Sequence, residues 1–226
     1  MEKNLIAEYA AKQIESGMSV GLGTGSTANL FIDALARRVR DEGLQIEAVA
    51  SSMISSIKAN ECGLTLRAIE QINCLDCYVD GADEVAPDLT LLKGRGADLV
   101  REKLLAEASE QFLVLADASK FVTRIGERYP IPVEVMPFAW QLVKANLEEI
   151  GARVDLRINP QTGGVFVTSY GSAVLDVVFA ESLDASVLNR LLDEIPGVVE
   201  HGIFSGLASC IITVTNGAIS VLDGSE

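Results

Sequence analysis

Ser19-Val20-Gly21-Leu22-Gly23-Thr24-Gly25-Ser26-Thr27 is the stretch on which the reading of the fold turns. Ser19 to Gly23 has the short apolar character of a buried strand, and from Thr27 to Arg40 apolar positions recur at helical spacing. A strand passing through a glycine turn into a helix is half of a βαβ unit, the repeating element of a parallel sheet. Several backbone N–H groups and the hydroxyls of Thr24, Ser26 and Thr27 face the place where an anion would lie. Two familiar phosphate signatures fail here. The dinucleotide fingerprint needs Gly where this chain has Ser26, and the P-loop needs a Gly-Lys pair before its Ser or Thr. Two readings stay open, a cradle for a phosphate monoester and a plain tight turn with Ser26 as helix N-cap.

Working outward, the same alternation continues to about Ala116. Strands are expected at Ser19–Gly23, Ile46–Ser51, Leu64–Arg67, Leu75–Asp80 and Phe112–Leu115, and helices near Glu2–Ser16, Thr27–Arg40, Ser52–Asn60 and Ala97–Ser109. Right-handed crossovers would bring the loops after Gly23, Ser51 and Asp80 to one edge of the sheet, where ligands bind in open α/β folds. At Tyr129-Pro130-Ile131-Pro132 the regime changes, because proline interrupts helices and stiffens connections. Beyond it come strand Val133–Met136, helix Phe138–Ile150, strand Arg153–Ile158, a strand at Val165–Thr168 or Val174–Phe179, helix Ala185–Glu194 and strand Val198–Phe204. That order is close to the split βαβ, ferredoxin-like arrangement. In the tail, Asn216-Gly217 between two apolar runs marks a hairpin that returns to the first domain. The expected fold class is therefore α/β: a Rossmann-like, mostly parallel sheet domain over residues 1–127 and 204–226, with a smaller ferredoxin-like α+β domain over residues 128–203.

With 226 residues, 49% of them apolar, the chain can bury a real core, and disorder is not expected. A net charge of −14 with only 18 Lys and Arg argues against nucleic acid as a partner, so an anionic substrate must be met locally by a few lysines and backbone amides. No apolar run approaches a bilayer span and the amino end resembles neither a signal nor a transit peptide, so no membrane is expected and the cytoplasm is the expected location. Cys62, Cys74, Cys77 and Cys210 are too few for a disulfide scaffold; Cys74 and Cys77 make a lone C-x-x-C, expected to be buried structural thiols. His201, the only histidine, is expected to be structural, and no metal site is expected.

The candidate chemistry follows the strand at Leu75. Asp80 and Asp83 bracket Gly81-Ala82, which lets a ligand approach the chain, while Glu84 is expected at the surface or behind the site. Lys93 begins the Lys93-Gly94-Arg95-Gly96 loop, and an ammonium there can hold a developing oxyanion. Glu102 falls between Leu105 on one side and Leu99 with Ala106 on the other at 100° per residue, so its carboxylate is expected to be partly desolvated and to serve as a base. Lys120, after another strand, could supply a second positive charge for phosphate, with Lys3 a weaker candidate.

Gly23-Thr24-Gly25-Ser26-Thr27, Asp80-Gly81-Ala82-Asp83-Glu84, Lys93-Gly94-Arg95-Gly96, Arg101-Glu102-Lys103, Ala116-Asp117-Ala118-Ser119-Lys120, Pro132-Val133-Glu134-Val135 and Ile195-Pro196-Gly197-Val198-Val199 occur in this order. With them the chain resembles the type A family of ribose-5-phosphate isomerases from Lys3 through about Leu222. The resemblance implies interconversion of D-ribose 5-phosphate and D-ribulose 5-phosphate through a cis-enediol in the pentose phosphate pathway, with no metal or organic cofactor. It implies Glu102 as the base, Asp80 in ring opening and movement of hydroxyl protons, and Lys93 at the enediolate oxygen; Asp83 is placed with these catalytic groups. Thr24, Gly25, Ser26, Thr27, Gly81, Ala82, Gly94, Arg95 and Gly96 would line the substrate, with Lys120 and Lys3 at its phosphate end. A homodimer or homotetramer joined through the small domain is implied as well. The family's usual Thr-Asp-Asn-Gly-Asn run is replaced here by Thr168-Ser169-Tyr170-Gly171-Ser172, and Arg95 interrupts a run that is often all glycine. The competing readings are a non-catalytic sugar-phosphate sensor domain, an amino-sugar phosphate deaminase and a coenzyme A transferase.

Overall fold

The alternation that starts at Ser19 is realised as a six-stranded sheet in a computed structural model describing residues 2–96, 98–179 and 183–223. In chain order the elements are α1 (Glu2–Lys12), β1 (Ser19–Leu22), α2 (Ser26–Glu42), β2 (Glu47–Ala50), α3 (Met53–Glu61), β3 (Leu75–Gly81), β4 (Glu84–Val85), β5 (Leu91–Leu92), α4 (Leu99–Glu107), β6 (Ser109–Leu115), β7 (Ile131–Val135), α5 (Trp140–Glu149), β8 (Ala152–Leu156), β9 (Ala173–Phe179), α6 (Ala185–Asp193), β10 (Val198–His201), β11 (Ile203–Phe204), β12 (Cys210–Thr215) and β13 (Ala218–Asp223). They form two compact units, one of residues 1–82, 101–121 and 207–226 and one of residues 83–100 and 122–206.

In the first unit the strand order is β13-β12-β6-β3-β1-β2, parallel throughout except for the β12–β13 hairpin. Parallel strands are covered on both faces, which is why Val20, Leu22, Val79, Leu115 and Ile212 are all fully or almost fully buried. Ile6 and Ile14 lie in and just beyond α1, Phe31 and Leu35 lie on α2, and all four pack into the same core. Burying a side chain such as Phe31 is worth about 1.5–3 kcal/mol. Arg38 donates to the carbonyls of Ala11 and Ile14, so a cation closes the end of α1. The hairpin is tight because Asn216 and Gly217 both take positive φ, 53° and 78°.

In the second unit the order β7-α5-β8-β9-α6-β10 builds an antiparallel sheet arranged β10-β7-β9-β8, the ferredoxin-like pattern. Val133, Val135, Val154, Leu175 and Val177 line its core with Val143, Leu147, Leu188 and Leu192 from the helices. A second, three-stranded sheet in order β11-β5-β4 brings residues 83–100 into this unit, and sequence patterning missed it because two-residue strands carry no period.

Other expectations are corrected. Leu64–Arg67 contributes one bridge, Leu66 to Ala48, and no strand. Val165–Thr168 makes only isolated bridges, so the strand is the alternative one, β9. The continuous strand Val198–Phe204 breaks at Gly202, where a Cβ would stand 2.3 Å from the Lys93 carbonyl; the chain passes there from one sheet to the other. The helix expected to reach Ser109 stops at Glu107, because Ser109 already pairs with Leu75 in the parallel sheet; its expected start, Ala97, lies outside the described residues. Cys74 is exposed in the connection before β3, whereas Cys77 and Cys210 are buried; burial raises their thiols, to about 12 and about 11 respectively.

Candidate active site

Within the first unit, the carboxyl ends of β1, β2, β3 and β6 share one edge of the sheet. The chain leaves β1 through Gly23, whose hypothetical Cβ would lie 2.2 Å from the Asp80 carboxyl group, so only glycine lets the two strand ends meet. Asp80 is fully buried. Its Oδ1 accepts from the N–H groups of Thr24 (3.1 Å) and Gly81 (2.7 Å), and its Oδ2 from the Tyr78 hydroxyl (2.6 Å). A buried carboxylate with such donors is a fixed anchor for the glycine loop.

The helix α2 has Gly25 as its N-cap, at φ 113°, with no side-chain cap and no acid in the first turn. The alternative reading, with Ser26 as N-cap, is thereby set aside; Ser26 instead accepts from Lys3 Nζ at 3.4 Å, and Lys3 also stands 3.9 Å from Asp117. Burial pushes Asp117 up, but its hydrogen bonds with Ser119, joined by the positive charges of Lys3 and Lys120, together hold it below the ordinary value. Lys3, Ser26, Asp117 and Lys120 thus gather at one end of this edge.

The Thr24 hydroxyl bonds those of Ser51 (2.8 Å) and Ser52 (2.7 Å). Ser52 caps α3 through a reciprocal pair with Ser55, and all three serines are buried. Sequence reasoning missed this hydroxyl chain as part of the site, although Ser51-Ser52 at a strand end followed by a helix carries a capping signal.

Glu102, in the first turn of α4, is 5% exposed, with Leu99, Leu105 and Ala106 of the same helix also buried. Tyr78, whose hydroxyl donates to Asp80, is pushed well above its ordinary value by burial first, then by the negative charges of Asp80 and Glu102. The ring stacks on Phe112 with centroids 4.8 Å apart. Sequence reading passed over Tyr78, which looks like an ordinary strand aromatic. Arg101 donates to the Ala50 carbonyl at 3.0 Å and holds α4 against the end of β2.

In the second unit, Lys93 is 4% exposed; its N–H donates to Gly202 at 2.8 Å and its Nζ lies 5.6 Å from the centre of the Phe204 ring. Gly94 takes φ 91°, and a Cβ there would press to 2.9 Å of Leu99. Asp83 donates its N–H to Leu92 and receives the Arg95 N–H at 3.4 Å, while the Arg95 guanidinium stacks 4.0 Å over Tyr129. Gly96 is exposed. Glu84 is fully buried, not at the surface: its carboxylate accepts the N–H groups of Gly126, Arg128 and Tyr129 and fixes that turn.

Among the described residues, one group could be considered for a metal ion: Asp193, Glu200 and His201. The Ile203 N–H donates to His201 Nδ1 at 3.2 Å, which leaves the ring proton on Nε2, 3.0 Å from Asp193. A metal at Nε2 would need the lone pair that this proton occupies, so the group reads as structural.

Residues 47–217 match the family described as ribose 5-phosphate isomerase A (phosphoriboisomerase A). Ribose-5-phosphate isomerase A of Thermomicrobium roseum is 42% identical over 225 residues, which is 99% of this chain and 94% of that protein. Its counterpart in Methanothermobacter thermautotrophicus is 43% identical, over 97% of this chain and 96% of that one. Ribose 5-phosphate isomerase A from Methanocaldococcus jannaschii superposes with a TM-score of 0.93 at 36% identity, over 98% of this chain and 97% of that one. A D-ribose-5-phosphate isomerase solved in complex with phospho-erythronic acid gives 0.94 at 35% identity, with the same coverage.

Proposed function

The chain belongs to the ribose 5-phosphate isomerase A family, and on that premise we propose that it interconverts D-ribose 5-phosphate and D-ribulose 5-phosphate in the pentose phosphate pathway, with Glu102 as general base. The observation that carries the assignment of the base is a glutamate 5% exposed, close enough to Tyr78 for its charge to act there beside Asp80. Removing a carboxylate from water raises its basicity, and the C–H beside an aldehyde is too weak an acid for a fully solvated one.

Glu102 takes the proton from C2 of the open-chain aldose, leaving a cis-enediolate whose charge lies on O1. O1 gains a proton, O2 gives one up as the ketone forms, and Glu102 returns its proton to C1. The exchange is internal, so no external oxidant enters. Lys93 is assigned to the enediolate oxygen, where one good oxyanion donor is worth about 3 kcal/mol. Asp80, fixed by its donors, relays hydroxyl protons and opens the ring, with Asp83 beside it in sequence as the fourth catalytic group. Thr24 to Thr27, Gly81, Ala82 and Gly94 to Gly96 line the sugar, and Lys3 and Lys120 meet the phosphate. A helix start with neither a side-chain cap nor an acid supports an anion at Ser26.

Protein freed of metal by chelator should convert ribose 5-phosphate and exchange the carbon-bound proton with solvent; no turnover of any aldose phosphate would remove the assignment. Phospho-erythronic acid, whose planar carboxylate presents a negative oxygen where the enediolate carries its charge, should inhibit competitively.

The same reading places the protein in the cytoplasm as a homodimer or homotetramer, with residues 1–127 and 204–226 as the catalytic domain and 128–203 carrying the subunit contacts. Four free cysteines suit a reducing compartment, and among the described residues no helix is long and apolar enough to cross a membrane. Phe138, 83% exposed, and Leu142, 71% exposed, lie four residues apart and support an apolar contact on that segment. Phe138→Asp with Leu142→Asp should lower the mass in light scattering; an unchanged mass would move the interface elsewhere.

A further inference from the structure

We propose that Arg157, held by Asp176, is the positioning residue for the loop that carries Lys93. The inference rests on the assignment of Lys93 to the enediolate oxygen. Arg157 follows β8, and its own backbone is fixed on both sides: its N–H donates to Val174 at 2.9 Å and its carbonyl accepts the Phe166 N–H at 2.9 Å. Its guanidinium makes a fork with the Asp176 carboxylate, Nε to Oδ2 at 3.0 Å and Nη2 to Oδ1 at 2.5 Å. That fork leaves Nη1 a single direction, and Nη1 lies 3.2 Å from the Arg95 carbonyl and 3.5 Å from the Gly94 carbonyl. The side chain is 16% exposed and Asp176 25%, so the group is withdrawn from water with its partner.

A trans peptide turns its carbonyl and its N–H to opposite sides. The Gly94–Arg95 peptide is consequently gripped at both ends, its oxygen by Arg157 and its N–H by Asp83 Oδ2. By the same geometry, holding the Arg95 oxygen turns the Gly96 N–H to the opposite side of the loop. Lys93 itself is tied at its N–H to Gly202. Gly94, at φ 91°, is conformationally free in itself and would let the loop swing if its carbonyl were released. Arg157 thus sets where Lys93 and the Gly96 amide stand without touching the reacting atoms.

The test compares Arg157→Ala, Arg157→Lys and Lys93→Ala, alone and with Arg157→Ala combined with Lys93→Ala, in steady-state isomerase assays alongside thermal unfolding. Misplacement of a catalytic group by about an ångström costs on the order of a hundredfold, so Arg157→Ala and Arg157→Lys should each lose about tenfold to a hundredfold in kcat, with KM within about threefold. Methylguanidinium added to Arg157→Ala should restore part of kcat, and the double variant should be no slower than Lys93→Ala. Losses that multiply in the double variant, or a folded Arg157→Lys with the parent's kcat, overturn the inference. If Arg157→Ala does not fold, Arg157→Lys decides. Full activity in Lys93→Ala would overturn the assignment of that lysine and the inference with it, whereas a crippled Lys93→Ala beside an unimpaired Arg157→Ala overturns the inference alone.

Discussion

The proposed chemistry draws on two glycine loops, one in each unit, and they are held by groups of opposite charge. The loop after β1 is fixed by the Asp80 carboxylate, which takes up the N–H groups of Thr24 and Gly81. The loop after β5 is fixed by the Arg157 guanidinium, which takes up the carbonyls of Gly94 and Arg95. An acid that consumes amide N–H groups makes a rigid wall suited to moving protons; a cation that consumes the Arg95 carbonyl turns the Gly96 N–H the other way, while the Arg95 N–H goes to Asp83. Glycine permits both loops, but the charge of the anchor decides which polar face of the backbone is left for a ligand.

The comparison breaks most visibly at the buried anchor. Asp80→Ala takes the acceptor away from Tyr78, Thr24 and Gly81 at a fully buried position, and chemical denaturation should show a loss of about 3–5 kcal/mol. Tyr78→Phe removes only the phenol donor to that carboxylate and should cost about 1.5–3 kcal/mol. Arg157→Ala, at a position that water reaches in part, should cost about 1 kcal/mol of stability while slowing catalysis far more. A larger stability loss for Arg157 than for Asp80 would invert the contrast between a fully buried anchor and one that water reaches in part.

The units also separate by pH. In the first, Cys77 is pushed up to about 12 and Cys210 to about 11, both from 9.0, and Tyr78 well above its ordinary value. The folded chain keeps these protons after the unfolded chain has released its own, so stability is whole below about pH 9 and falls as pH rises through 9 to 12. Each proton contributes at most about 1.4 kcal/mol per pH unit. Cys77→Ala should flatten that fall. In the second unit burial raises Glu134, against hydrogen bonds from Thr168 and Ser172, so its contribution is present below 4.5 and is lost as pH rises past it. Glu134→Gln should remove that weaker slope and leave the alkaline one intact.

The sequence revealed the elements whose spacing is long enough to show a period. The parallel strands, the helices and the ferredoxin-like order were legible because apolar positions recur over several turns or alternations, and Glu102 was legible as buried because its helical neighbours Leu99, Leu105 and Ala106 are apolar. The short strands β4, β5 and β11 were not, since two residues define no period and the pairing of β5 with β11 joins segments more than a hundred residues apart. Glu84 read as an acid at the surface or behind the site, and its turn-fixing task stayed hidden because its partners are backbone N–H groups, which have no sequence signature. Arg157 was invisible for the same reason, since it acts through distant main-chain carbonyls, whereas Tyr78 was passed over because it looks like an ordinary core aromatic of the strand. Thr168 and Ser172, the ends of the run that departs from the family pattern, both bear on the buried Glu134, so these two hydroxyls perform a structural task.

Deuterium uptake during turnover in heavy water tests the role of Glu102 most directly. Parent protein should place solvent deuterium on the isomerised carbon. Glu102→Gln should lose both turnover and deuterium uptake by about a hundredfold to ten-thousandfold while still binding phospho-erythronic acid. Deuterium entering Glu102→Gln at the parent's rate would contradict the account.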